Sequence, residues 1–99
     1  MEAPVYPFQL TQSYSPAQTD EDLLDSTVGS VLRDAAALSP GSTALIEADG
    51  DGIPRRSWTY AELLADSERL ARALLTRFEP GERVAVWAPN VPEWILAEF

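Results

Sequence analysis

Three features of the sequence predict an α/β fold class with a β-hairpin, one further strand and three helices. Two apolar runs repeat at helical spacing, and a turn-rich acidic tetrapeptide separates two short strand-like runs. A β-branched, nearly all-apolar run then follows a Pro-Gly turn. At 99 residues the chain forms one domain at most. It buries roughly 60–65% of its unfolded surface, enough for a modest core.

The first predicted helix begins at Thr27, where Ser26 or Thr27 serves as N-cap. Val28, Val31, Leu32, Ala35 and Leu38 fall at i, i+3, i+4, i+7 and i+10, one face of a helix. Ser39-Pro40-Gly41 stops it, because Pro lacks the next backbone donor. Thr43–Ala48 (TALIEA) reads as a strand, Asp49-Gly50-Asp51-Gly52 as a turn, and residues near Arg55–Trp58 as the returning strand. Thr59 and Glu62 then form a T-x-x-E capping box.

Behind that cap, Tyr60, Leu63, Leu64, Ser67, Leu70, Ala71, Leu74, Leu75 and Phe78 make one stripe, predicting a core-organising helix over 60–78. Glu79-Pro80-Gly81-Glu82 turns the chain into Arg83–Ala88 (RVAVWA), a strand suited to a sheet interior. Asn90 with Glu93 reads as the N-cap and N3 pair of a third helix, whose face is Val91, Trp94, Ile95 and Phe99. That face lacks a cover, so the domain is expected to be incomplete at its C-terminal end. Residues 1–26, with three prolines, three glutamines and no period, are expected to be a flexible N-terminal extension or an extended arm on a larger body.

Composition excludes several chemistries. The chain has no Cys, His or Lys, and all seven basic residues are Arg. That removes disulfides, Cys/His zinc sites, His-based nucleophile activation, Walker-type phosphate loops and Schiff bases. A net charge of −9 disfavours nucleic acid and anionic membranes as partners. Residues 1–52 hold nine acids against Arg33 alone, whereas 53–99 hold seven against six Arg. No secretory signal is read, since the first basic residue is Arg33, and no stretch can span a bilayer. With no Cys in use, the expected location is cytoplasmic.

Four constellations invite a site reading, and each has a plainer one. Asp49-Gly50-Asp51-Gly52 suggests a calcium loop, but Ile53 stands where the third oxygen ligand belongs, so a hairpin turn is preferred. Asp25-Ser26 before a helix suggests a phosphopantetheine-bearing carrier, but the strands that follow do not suit a four-helix bundle. Trp58, Trp87 and Trp94 could line an apolar ligand site, yet each stands where a core aromatic is expected. Sixteen carboxylates permit an acid/base pair, and their spacing singles out none. Catalytic, cofactor-binding and metal-ligating residues are therefore all expected to be none.

The order of these elements resembles the start of the adenylate-forming, or AMP-binding, enzymes, a superfamily that includes acyl-CoA synthetases. The resemblance rests on Trp58-Thr59-Tyr60-Ala61-Glu62-Leu63 and Arg69-Leu70-Ala71-Arg72-Ala73-Leu74. It continues in Pro80-Gly81-Glu82-Arg83-Val84-Ala85-Val86 and Pro89-Asn90-Val91-Pro92-Glu93-Trp94. The P-N-x-P-E-W form is most like a fatty-acid–CoA ligase. Thr76-Arg77-Phe78-Glu79 departs from the Gly-containing helix stop of many relatives.

The resemblance implies that 27–99 is the truncated N-terminal start of the large AMP-binding domain. It implies an ATP-dependent ligase acting on a carboxylic acid, with ATP, Mg²⁺ and coenzyme A as cofactors of the complete enzyme and the remainder of the polypeptide as partner. The family's phosphate loop, nucleotide motifs and Lys have no counterpart in residues 1–99, so the chain alone is expected to be inactive. A free-standing acidic interaction module, docking a protein through its Trp94 face, is the alternative.

Overall fold

The computed structural model describes residues 11, 13 and 15–99. Five elements follow in order: α1 (Val28–Leu38), β1 (Thr43–Ala48), β2 (Pro54–Thr59), α2 (Tyr60–Leu74) and α3 (Glu93–Glu98). The hairpin and three helices expected from sequence are present. Residues 15–27 carry no helix or strand and are exposed. All three aromatic residues of the proposed extension, Tyr6, Phe8 and Tyr14, lie outside the described residues.

Helix α1 starts where Thr27 accepts from the Ser30 amide at 3.2 Å, so Thr27 rather than Ser26 is the cap. Strands β1 and β2 pair antiparallel, with Leu45 opposite Trp58 and Glu47 opposite Arg56. Asp49 closes the hairpin loop by accepting from the amides of Asp51 and Ile53, each at 3.0 Å. Gly52 completes that loop at φ +77°, a conformation that costs glycine little.

The capping box of α2 is complete. Thr59 Oγ1 accepts from the Glu62 amide at 3.2 Å, and Glu62 accepts from the Thr59 amide at 2.8 Å. Two further first-turn donors, the amides of Tyr60 and Ala61, find the carbonyls of Ser42 and Pro40. All these partners come from the loop before β1 or from the cap itself, so the helix start is fixed on both sides.

The core is Leu32, Trp58 and Leu63, with Ala44, Leu45, Tyr60, Leu64, Ile95 and Leu96 packed against it. Helix α2 is shorter than the expected 60–78. After Leu74 the amides of Thr76 and Arg77 bond three residues back, tightening the chain out of the α-helix. The stripe loses cover toward its C-terminal end: Leu63 and Ser67 are buried, whereas Leu75 and Phe78 are exposed. Its contribution to stability is correspondingly smaller than the full stripe would give.

Pro80-Gly81 forms the expected turn, with Glu82 donating to the Glu79 carbonyl at 3.1 Å and Gly81 at φ +90°. The strand expected at Arg83–Ala88 does not pair; the sheet of the described residues holds β1 and β2 alone. A strand needs a neighbour's carbonyls and amides, and none runs alongside. Asn90 is likewise not the cap of α3. The cap position is Pro92, with no side-chain bond. Residue Val91 precedes a proline, which disfavours helical backbone there and delays the helix until Glu93.

Candidate functional site

The densest polar constellation gathers on Arg56, whose position on β2 sets it directly opposite Glu47 on β1. The guanidinium Nε and Nη2 donate to the two carboxylate oxygens of Glu47, the second at 3.2 Å. Its Nη1 donates to Glu93 Oε1 at 2.9 Å, joining the hairpin to the first residue of α3. The same guanidinium lies 5.3 Å from the centroid of the Trp58 ring, a cation–π distance. Hydrogen bonds from Arg56 hold the carboxyls of Glu47 and Glu93 below their ordinary range. The same bonds to the two carboxylates raise the Arg56 pKa further.

This arrangement positions elements rather than moves protons. Both carboxylates stay ionised at neutrality and face a cation that cannot yield its proton. Sequence spacing singled out no carboxylate pair, because Glu47 and Glu93 are distant in the chain. Half of the constellation was within reach: pairing TALIEA with its return strand in register sets Glu47 against Arg56.

The other candidates separate. Ser26 is exposed and its hydroxyl donates to the Thr27 carbonyl, beside the helix cap and outside the helix. Asp49 and Gly52 serve the hairpin loop. The three tryptophans do not share a site. Trp58 is buried, and its indole N–H donates to Asp66 at 2.9 Å. Trp94 is part-exposed and donates to the Pro89 carbonyl at 2.8 Å. Trp87 is fully exposed, contrary to the core position expected for it, because among the described residues no strand lies beside the segment carrying it.

An apolar cleft of about 580 Å³ opens between that unpaired segment and α3, lined by Val84, Val86, Asn90, Trp94 and Ile95 among others. A smaller, more polar cleft of about 250 Å³ lies between β1 and the turn at Asn90–Pro92.

Residues 32–99 match the family model described as AMP-binding enzyme. The chain belongs to the AMP-binding enzyme family. It is 34% identical over 91 residues to a mitochondrial medium-chain acyl-CoA ligase of Danio rerio, covering 91% of this chain and 14% of the relative. Against the mitochondrial medium-chain acyl-CoA ligase of Rattus norvegicus it is 31% identical over 88% of this chain and 14% of the relative. YngI of Bacillus subtilis, provisionally named an acyl-CoA synthetase, is 29% identical over 79% of this chain and 14% of its own length. The chain thus spans about 14% of the length of the curated relatives it matches. No solved structure shows a significant match.

The AMP-binding match encloses all four motifs that carry the resemblance, from Trp58 to Trp94. The fold builds the first of them into the core, where Trp58 and Leu63 join Leu32, and Ile95 and Leu96, which follow the P-N-x-P-E-W run, pack against it. Among the described residues no helix is long and apolar enough to cross a membrane.

Proposed function

We propose that residues 27–99 are the opening scaffold of an AMP-binding domain, preceded by an extension over 1–26, in an ATP-dependent acyl-CoA synthetase. The observation that carries the reading is the family match over 32–99 together with relatives named acyl-CoA ligases. The complete enzyme would join a carboxylic acid to the α-phosphate of ATP, release pyrophosphate, and pass the acyl group to coenzyme A with loss of AMP. A fatty acid is the substrate class favoured by the P-N-x-P-E-W form and by the medium-chain ligases among the relatives.

The residues of this chain do not suit ATP or Mg²⁺. Its positive-φ glycines, Gly52 and Gly81, sit in turns flanked by Asp49 and Asp51 or by Glu79 and Glu82, which repel phosphate. Asp49 already spends an oxygen on two loop amides. We assign these residues no catalytic, cofactor or metal role, and the 99-residue chain alone is proposed to be inactive. Its partner is the remainder of the same polypeptide, with no role in nucleic-acid binding.

The cytoplasmic placement is carried as part of this proposal, and the relatives named mitochondrial supply the alternative that cell fractionation separates. Exposed Trp87 and part-exposed Trp94 favour the second reading, an acidic module docking a protein partner. The deciding assay is pyrophosphate release by the full-length protein across fatty, aromatic and amino acids. Release with fatty acids supports the ligase, and release with amino acids alone moves it to a peptide-synthetase type. No release with any acid returns the chain to the interaction module.

A further inference from the structure

Helix α3 is held at two places of opposite character. On one side Ile95 and Leu96 pack against the core. At its first residue, Glu93 reaches Arg56 on β2 across 37 residues of chain. The helix is six residues long and opens at Pro92 with no side-chain cap; this ion pair ties its first turn to the hairpin, whereas Trp94 in the same turn donates to the nearby Ala88 and Pro89 carbonyls.

The two halves of the Arg56 cluster differ in grip. Glu47 takes both Nε and Nη2, and its side chain is 19% exposed. Glu93 takes Nη1 alone through one oxygen, and its side chain is 54% exposed. The Glu93 contact is therefore the weaker half of the cluster, since Arg56 is also held by Glu47 and by the face of Trp58. Beside the weaker contact lies the smaller cleft, walled by Leu45–Ala48 of β1 on one side and Asn90–Pro92 on the other.

We propose that the Arg56–Glu93 contact is a salt-sensitive latch that closes the 90–93 turn over β1. Exposed ion pairs are weak and screened by salt, which suits a fastening that opens and closes rather than one that locks. When Glu93 lets go, the 90–93 turn, which carries the Pro92 carbonyl, loosens from the packed Ile95–Leu96 side of α3, and the cleft over β1 widens.

Amide hydrogen exchange of the chain tests this at about 0.01 M and about 1 M salt, between which screening shortens from roughly 30 Å to 3 Å. The amides of Ile95 and Leu96, both bonded to the Pro92 carbonyl, report the first turn of α3. Their exchange is expected to rise about two- to fivefold with salt, while the Leu32 amide in α1 stays constant. Glu93→Gln should show the fast rate already at low salt and no further response. Glu47→Gln should keep the salt response, because the charged pair with Glu93 survives. Salt-independent exchange at Ile95 and Leu96 overturns the latch. So does a salt response retained in Glu93→Gln, or an equal rise at Leu32, which would mark loosening of the whole molecule.

Discussion

The indole N–H of Trp58 donates to the carboxylate of Asp66 at 2.9 Å, tying the end of β2 to the second turn of α2. Trp58 is one of the three residues that make the core, and its polar edge would be left unpaired without that acceptor. Asp66 also accepts from Arg69 at 2.8 Å. Asp66→Ala should therefore lower unfolding free energy by about 1–3 kcal/mol in a urea titration followed by circular dichroism. Asp66→Asn, which keeps a carbonyl acceptor, should lose less; equal losses would show that the indole bond is not the cause.

Thr59→Ala removes the side-chain acceptor for the Glu62 amide and should cost about 1 kcal/mol. Thr59→Ser keeps that acceptor and should stay near the native midpoint. In the full-length protein turnover should barely change, since the Thr59 side chain serves to cap α2. A large loss of turnover with unchanged stability would contradict this.

The hairpin loop contains a matched pair of glycines. A Cβ at Gly50 or Gly52 meets nothing within 4 Å, but only Gly52 has positive φ, at +77°. Gly52→Ala should destabilise by about 1 kcal/mol through backbone conformation alone. Gly50→Ala should be neutral or slightly stabilising, because it narrows the unfolded ensemble without straining the loop. Thermal melts of the two variants side by side check the contrast, and a shared loss would refute it.

Acid should weaken the molecule through Glu47 and Glu93. Hydrogen bonds from Arg56 depress both carboxyls below the ordinary value of 4.5, so the unfolded chain binds more protons than the folded one as pH falls. Their contribution is fully present above that ordinary value and is lost as pH drops through the lowered ones. Arg55 supports the same direction at Glu47, while Glu93 opposes it. Denaturant midpoints measured downward from neutrality should fall in that acid window. The double variant Glu47→Gln/Glu93→Gln should show a flatter profile, and an unchanged slope would remove these groups as its source.

Trp87 stands wholly in water near exposed Val84 and Val86. An apolar surface of this kind binds hydrophobic dyes. Trp87→Ser should reduce dye fluorescence while changing stability by no more than about 0.5 kcal/mol. A drop in stability larger than that would mean the side chain packs after all.

Local signals were the legible ones. Thr27, the Thr59–Glu62 box, the Asp49–Gly52 loop and Pro80-Gly81 each act within four residues, and each stands where its chemistry requires. Features that depend on distant partners were not legible. Val84 and Val86 have the composition of an interior strand, but pairing is a property of two segments, and among the described residues no second one runs beside them. Asn90 had the right residue type for a cap, and Pro92 overrode it by restricting the residue before it. Arg56 was unremarkable in sequence because Glu93 comes to it only after α3 has docked.

The separate fates of the three tryptophans give the molecule its own set of optical reporters. Trp58, shielded in the core, should emit at the blue end; Trp87, surrounded by water, at the red end; Trp94, part-exposed beside two carbonyls, in between. Variants that keep one indole at a time would report on the core, the unpaired segment and α3 independently. A collisional quencher should reach Trp87 first and Trp58 last. Any protein surface that later covers residues 83–88 would then announce itself as a blue shift of one known chromophore, with the core signal standing still.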